Sequence, residues 1–299
     1  MQFNRIFKLI AGEEGGEGIQ IESDGKNDSL RIEFDIDKDL TQQTNKSSIK
    51  IYNLADASCE KLEVADMVCE LQVGYAEDIG LRRIFLGQVT YSTTRNEGPN
   101  RSTELELSDG QASIRDTVVS LGYAAGVSAK AVVNDVAAQM GVTTQIAPDM
   151  EFATYPAGFS FLGKGKDCLS KILDASGATW SIQNGSLQVV MAGGSTGVQA
   201  LVFSASSGLI GSPERIVKAV TRPDEEAKKK RKVKKDKKRK KAGWKIKTLL
   251  APTVNPGDLV KVESVPITGW FRVESLKHKG DTHGKEWYSE MELIELVSS

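Results

Sequence analysis

The sequence predicts an α+β chain, mainly β, in which two β-rich regions flank a smaller α/β module. Three observations carry that reading. Leu30, Ile32, Phe34 and Ile36 alternate with Arg31, Glu33 and Asp35, the period-two pattern of a strand with one buried face. In the middle of the chain two stretches keep helical spacing and precede an Asn-Gly turn between apolar runs. The last part, from Gly243 to Leu293, is a succession of short strands and strong turns.

Each element has its own justification. After the strand through Ile36, Ser47 to Tyr52 continues the alternation with Ile49 and Ile51, and Asn53-Leu54-Ala55-Asp56 breaks it before a short helix from Asp56 to Leu62. Val68 to Tyr75 and Arg83 to Thr93 read as strands. Asn96-Glu97-Gly98-Pro99-Asn100 is a turn cluster, and Thr103 to Ser108 closes the set. Strands at this spacing suggest a sandwich or barrel. Ser128 is an N-cap candidate for a helix to Met140, with Val132, Val133 and Val136 on one side and Gly141 as its stop. A second helix, Lys166 to Ser176, turns Leu169, Ile172 and Leu173 inward and ends at Gly177. Thr179 to Gln183 and Ser186 to Met191 pair across Asn184-Gly185, where both positions of a type I′ turn want positive φ.

Gly193-Gly194-Ser195-Thr196-Gly197 then reads as a flexible joint. Leu201 to Phe203, Ile216 to Thr221, Leu259 to Glu263, Phe271 to Leu276 and Trp287 to Leu293 read as strands, with Pro256-Gly257-Asp258 as a tight turn. The expected domains are 1–110, 111–192 and 193–299, the last carrying a basic loop insertion at 224–243.

At 299 residues the chain is long enough for more than one core. Its 39% hydrophobic and 26% charged residues are ordinary for a globular protein. No apolar run approaches the ~20 residues that cross a bilayer. The N-terminal stretch lacks the apolar core and cleavage site of a secretion signal, which predicts synthesis and assembly in a cytoplasm.

Charge is distributed very unevenly. Lys228, Lys229, Lys230, Arg231, Lys232, Lys234, Lys235, Lys237, Lys238, Arg239, Lys240 and Lys241 surround one acid, Asp236, for a segment charge of +11; the whole chain is −1, so the remainder is −12. Like charges this dense repel and extend the backbone. The run reads as a solvated loop, as a contact for an anionic partner such as nucleic acid, a membrane surface or an acidic protein face, or as a localisation signal, for which nothing else in the chain argues. It has no interleaved aromatics, so any nucleic-acid contact would be to phosphates and salt-dependent.

Catalytic chemistry finds little footing. Cys59, Cys69 and Cys168 show no metal-ligand spacing and read as buried free thiols. His278 and His283 flank Gly280-Asp281 in what reads as a solvated polar hairpin rather than a metal site. Gly163-Lys164-Gly165-Lys166 lacks the spacing of a phosphate loop. No pair of acids forms a glycosidase motif, and Asp35, Asp37 and Asp39 read as facing water. Trp244, Trp270 and Trp287 read as core residues or, for at least one of them, as an interface residue. No catalytic, metal or cofactor residue is assigned.

The order of motifs resembles the baseplate hub proteins of contractile-tailed bacteriophages. The resemblance is carried by Ile51-Tyr52-Asn53-Leu54, Val73-Gly74-Tyr75 followed by Ile84-Phe85-Leu86-Gly87, Ser108-Asp109-Gly110, the stretch from Gly177 to Ile182, and Gly243-Trp244-Lys245-Ile246 through Leu250, Pro252 and Pro256 to Val260. It implies two tail-tube-like β-barrel domains per chain around the α/β module. It further implies a homotrimer in the virion tail baseplate that joins the sixfold tail tube protein to the threefold central spike protein. Tape-measure protein and other baseplate subunits complete the implied partners; the resemblance gives the basic run no role, and genome DNA is an expected partner only through the charge of that loop. Two other functions compete: a tail-tip peptidoglycan hydrolase, and an anion-binding module led by the basic run.

Overall fold

A computed structural model describes residues 4–13, 17–23, 29–40, 45–62, 67–109, 117–191, 193–219 and 240–295. Its first region holds β1 (Arg5–Gly12), β2 (Gly18–Ser23), β3 (Ile32–Asp39), β4 (Lys46–Tyr52), α1 (Asp56–Lys61), β5 (Val68–Tyr75), β6 (Gly80–Glu97) and β7 (Asn100–Ser108). The alternation seen in the sequence is the alternation of burial. Ile32, Phe34 and Ile36 of β3 pack with Ile49, Ile51, Leu71, Val73 and Leu105 in one apolar core. β1 was not foreseen, although Phe7, Leu9 and Ala11 all enter that core.

The middle module contains β8 (Val118–Tyr123), β9 (Val127–Ser128), α2 (Ala129–Gln139), β10 (Thr143–Ile146), β11 (Thr154–Tyr155), β12 (Phe159–Lys164), α3 (Gly165–Ala175), β13 (Ala178–Gln183) and β14 (Ser186–Met191). Ser128 caps α2 as expected, its Oγ accepting from the Ala131 amide at 3.2 Å. Asn184 and Gly185 take φ of 51° and 78°, the positive pair that a type I′ turn requires. The inward residues of both helices, with Trp180, Leu187 and Val189, form a second core.

The last region holds β15 (Gln199–Ser204), β16 (Leu209–Ala219), β17 (Lys240–Leu249), β18 (Leu259–Glu263), β19 (Thr268–Asp281) and β20 (Trp287–Glu295). A third core gathers Phe203, Ile246, Val260, Val262, Phe271, Leu276, Met291 and Leu293.

The two expected barrels are not two closed objects. Among the described residues, thirteen strands form one open sheet with the path β16-β17-β20-β19-β3-β4-β7-β6-β5-β1-β2, while β18 joins β19 and β15 joins β18. The physical reason is the length of β19. Its first half, through Arg272, pairs with β18, and its second half, from Ser275, pairs with β3. One strand therefore serves both regions and leaves neither free to close on itself.

The sheet nevertheless repeats itself. In the first region β5-β6-β7-β4-β3 lie side by side, all antiparallel. In the last region β18-β19-β20-β17-β16 lie in the corresponding order, again all antiparallel. Even an irregularity recurs. β6 bulges between Val89 and Tyr91 against β7, and β19 bulges between Val273 and Ser275 against β20. The chain contains one five-stranded unit twice.

Candidate assembly surfaces

The basic run falls almost wholly outside the described residues. Lys228, Lys229, Lys230, Arg231, Lys232, Lys234, Lys235, Lys237, Lys238 and Arg239 lie there, and Lys240 and Lys241 open β17. The flanks are informative. Ala219 is paired with Lys240 and Lys218 with Lys241, so the run connects two neighbouring antiparallel strands. The chain re-enters the sheet at Lys240 rather than at Trp244, because the β16–β17 ladder continues to that residue. The insertion expected at 224–243 therefore has its last four residues in the strand.

One face of the sheet is a ladder of alternating charge. On β3, Asp35 and Asp37 point to Lys277 and Lys279 of β19: Lys277 Nζ lies 2.9 Å from Asp35 and 3.2 Å from Asp37, and Lys279 Nζ lies 3.3 Å from Asp35. The next strands continue the alternation, with Glu290 and Glu292 on β20 opposite Lys247 and Lys245 on β17, and a Lys245–Glu290 bridge at 2.9 Å. On the other side Lys50 of β4 stands between Glu33 of β3 and Glu104 of β7. Asp35 and Asp37 thus face neighbouring lysines as well as water. Exposed pairs of this kind add little stability each. Opposite charges on adjacent strands do favour one register over its neighbours.

The three regions meet at a buried polar junction. Lys38 of β3 points inward, 3% exposed, and its Nζ donates to Asn255 Oδ1 at 3.2 Å. Asp258 caps the Pro256-Gly257 turn by accepting from the Asn255 amide at 2.9 Å, and it accepts from Thr196 Oγ1 at 2.8 Å. Gln188 of β14 donates to Pro256 O at 3.0 Å. Asp109 accepts from the Asn184 amide at 2.8 Å, which ties the first region to the β13–β14 hairpin. Burial pushes the Lys38 ammonium down to about 8 and the Asp109 carboxyl up to about 6, and it raises Asp258. The glycine-rich joint is pinned rather than loose. The Thr196 amide donates to Gly257 O at 2.9 Å, and the buried Arg272 donates to Gly194 O at 2.6 Å.

The histidines separate. Gly280-Asp281 belongs to β19, so the turn comes later and His278 sits inside the sheet, fully buried. Ser289 Oγ accepts from the Ala251 amide at 3.0 Å and lies within hydrogen-bond distance of His278 Nδ1, at 2.8 Å. The ring is held neutral. Burial, with Lys38 nearby, holds its pKa well below the usual histidine value. His283 is exposed. All three cysteines are buried free thiols, as expected, and burial raises Cys69 to about 12 and Cys168 to about 11, far from nucleophilic thiolates. A cleft of about 630 Å³ separates β1, β2, β5 and β6 from Val142 and Gly185 of the module, and its described lining holds no histidine, cysteine or basic side chain. The tryptophans divide as well: Trp287 is buried, Trp244 half-buried and Trp270 exposed.

This open sheet, built from a repeated five-stranded unit and pinned to an α/β module, is similar in fold to solved bacteriophage tail proteins. Solved structures bear this out along nearly the whole chain. A tail protein from Neisseria meningitidis MC58 superposes with a TM-score of 0.61 at 13% identity, covering 97% of this chain and 96% of that one. The 43 kDa tail protein of prophage MuSo2 from Shewanella oneidensis gives 0.60 at 9% identity, with coverage of 96% and 98%. A type VI secretion component of E. coli, itself structurally similar to the T4 bacteriophage tail proteins gp27 and gp5, gives 0.54 at 9% identity, with coverage of 90% and 74%. No protein-family profile matches the chain, and no curated protein matches it in sequence. The likeness is one of fold, and at that level it meets the resemblance read from the sequence.

Proposed function

We propose that the chain is a structural subunit of a tail baseplate hub, three copies of which join the tail tube to the central spike. The observation that carries this reading is the doubled five-stranded unit. Three copies of such a chain present six similar units to a sixfold tube and three identical sets of other surfaces to a threefold spike. The units fall within the regions 1–110 and 193–299, with 111–192 between them. The tail fold of the structural neighbours supports the same reading. The mechanism is geometric: the chain binds and matches symmetries, and it carries out no reaction.

The solution mass tests it. Purified protein is expected to run at three times the single-chain mass of 32.4 kDa, by itself or on addition of the spike protein from the same tail. A stable single chain that ignores the spike would overturn the reading. A clearing band in a peptidoglycan zymogram would favour the hydrolase instead.

The basic run is the second functional element. The chain leaves and re-enters the sheet edge at the paired residues Ala219 and Lys240, and the run between them contacts an anionic partner. Replacing residues 228–239 by a short Gly-Ser turn leaves β17 whole. This change is expected to lower infectivity or tail assembly at least tenfold while leaving the fold intact by circular dichroism. Unchanged infectivity would remove the role.

A further inference from the structure

The repeated unit exposes an unfilled strand position. Within the chain, the second half of β19 pairs on one side with β20 and on the other with β3, the first strand of the other unit. The equivalent stretch of β6, from Tyr91 to Glu97, pairs with β7 alone among the described residues. Its counterpart for β3 is β16, and β16 pairs with β17 alone among the described residues. Each chain therefore makes the joint once internally and carries both unpaired halves of a second joint.

We propose that β16 of one copy adds antiparallel to the second half of β6 of the next copy, repeating between chains the β3–β19 joint made within the chain. This inference rests on the trimeric hub reading and assigns the contact by which the trimer closes. A ring of copies needs two different surfaces on each chain, and the two halves of the open joint are such a pair.

The internal joint also sets the register. Counting from the shared bulge, Thr93 and Arg95 occupy the places of Lys277 and Lys279. Counting from the shared pairing with β4 and β17, Glu214 and Ile216 occupy the places of Asp35 and Asp37. Lys277 pairs with Asp37 and Lys279 with Asp35, so Thr93 pairs with Ile216 and Arg95 with Glu214 across copies. The chemistry agrees at three points. Arg95 and Glu214 reproduce the opposite charges of Lys279 and Asp35, which lie 3.3 Å apart. Val217 is 58% exposed in the single chain, yet it holds the place of the buried Lys38 and would be covered on pairing. Tyr91, 52% exposed, lies on the receiving half of β6 and gains a neighbouring strand. A strand half with an open edge beside exposed apolar side chains is a template for another chain.

Two experiments on the full-length protein decide it. The Thr93→Cys, Ile216→Cys double variant is expected to form chain-to-chain disulfides under mild oxidation, giving a ladder that ends at three chains on a non-reducing gel. Directly opposed residues of an antiparallel pair, about 4.5–5.5 Å apart between Cα atoms, suit that bond. The native cysteines are buried and do not compete. The three-residue-offset control, Ser92→Cys with Glu214→Cys, is expected to give none. Second, Arg95→Glu, which sets two acids opposite each other, is expected to make the trimer dissociate at dilutions where the wild type holds together, with an unchanged circular dichroism spectrum, and adding Glu214→Arg is expected to restore it. A wild-type trimer whose Thr93–Ile216 cysteines never link and whose mass ignores Arg95→Glu would overturn this pairing and leave the hub reading standing. A wild-type single chain without cross-links, with or without spike protein, would overturn both.

Discussion

Replacing Trp287 by alanine is expected to destabilise the protein by about 4 kcal/mol, the usual range for removing a large buried aromatic. Trp287 starts β20, yet its ring packs in the core of the first region. It meets Phe34 edge-on at 5.3 Å between ring centres, and the Arg5 guanidinium lies 5.4 Å above it. Arg5 in turn donates to Gly284 O at 2.7 Å. The site is packed so closely that a Cβ on Gly280 would meet Phe34 at 2.2 Å. Neither Phe34 nor β1 can move in to fill the space without breaking its own ladder. Urea unfolding followed by circular dichroism measures the change, and a loss below about 1 kcal/mol would show that the two regions do not share this core.

The second large effect is expected in the pH dependence that Lys38 imposes. Lys38→Met removes the donor to Asn255 Oδ1 but also the cost of burying an ammonium, which outweighs its attraction to Asp109 and Asp258, so stability at neutral pH is expected to change little. The pH dependence gives a sharper signature. The Lys38 ammonium titrates near 8 in the folded protein and near its ordinary value of 10.5 when unfolded. Between those values the unfolded chain binds more protons, so the Lys38 contribution makes folding more favourable as pH rises through that window. Below about pH 8 both states hold the proton and the full cost of burying the charge is present. The variant is expected to lose this rise. Unfolding curves for both proteins from pH 7 to 10.5 test it. Parallel pH profiles would mean that Lys38 is not buried as a cation.

Much of the fold was legible in the sequence because burial follows local alternation. β5 and β18 have the limits the sequence indicated, and α2 and α3 lie within a residue or so of theirs. The failures have local causes. β1 was hidden because Ile6 and Ile10 place apolar residues on its outer face, blurring the period set by Phe7, Leu9 and Ala11. His278 reads as solvated because Gly280-Asp281 looks like a turn, whereas β19 runs through it, and the β19 bulge decides which face the ring takes. Alternation counted from Phe271 and Val273 would put Ser275 and Lys277 inside, but the extra residue at Glu274 reverses the phase and turns Leu276 and His278 inward. The duplication leaves only scattered identities, such as Ile49 with Ile246, Lys50 with Lys247, and Leu107 with Leu293. Strand pairing retains a common pattern where side chains have diverged, because the ladder is made by backbone. The buried junction was equally hidden: Lys38, Asp109 and Asp258 are far apart in sequence, and each reads alone as a surface charge.

The shared strand β19 also sets how the molecule would respond to being pulled. β3 and the second half of β19 are held by seven directly opposed residue pairs, from Ser275 with Asp39 to Asp281 with Glu33. A force along the strands loads those rungs together, in shear, so that none can give way until all are strained. A force across them would open the same ladder one rung at a time, as a zipper. The joint between the two halves is thus stiff in one direction and weak in the other. An object built from such joints would transmit an axial thrust while yielding to a sideways pry.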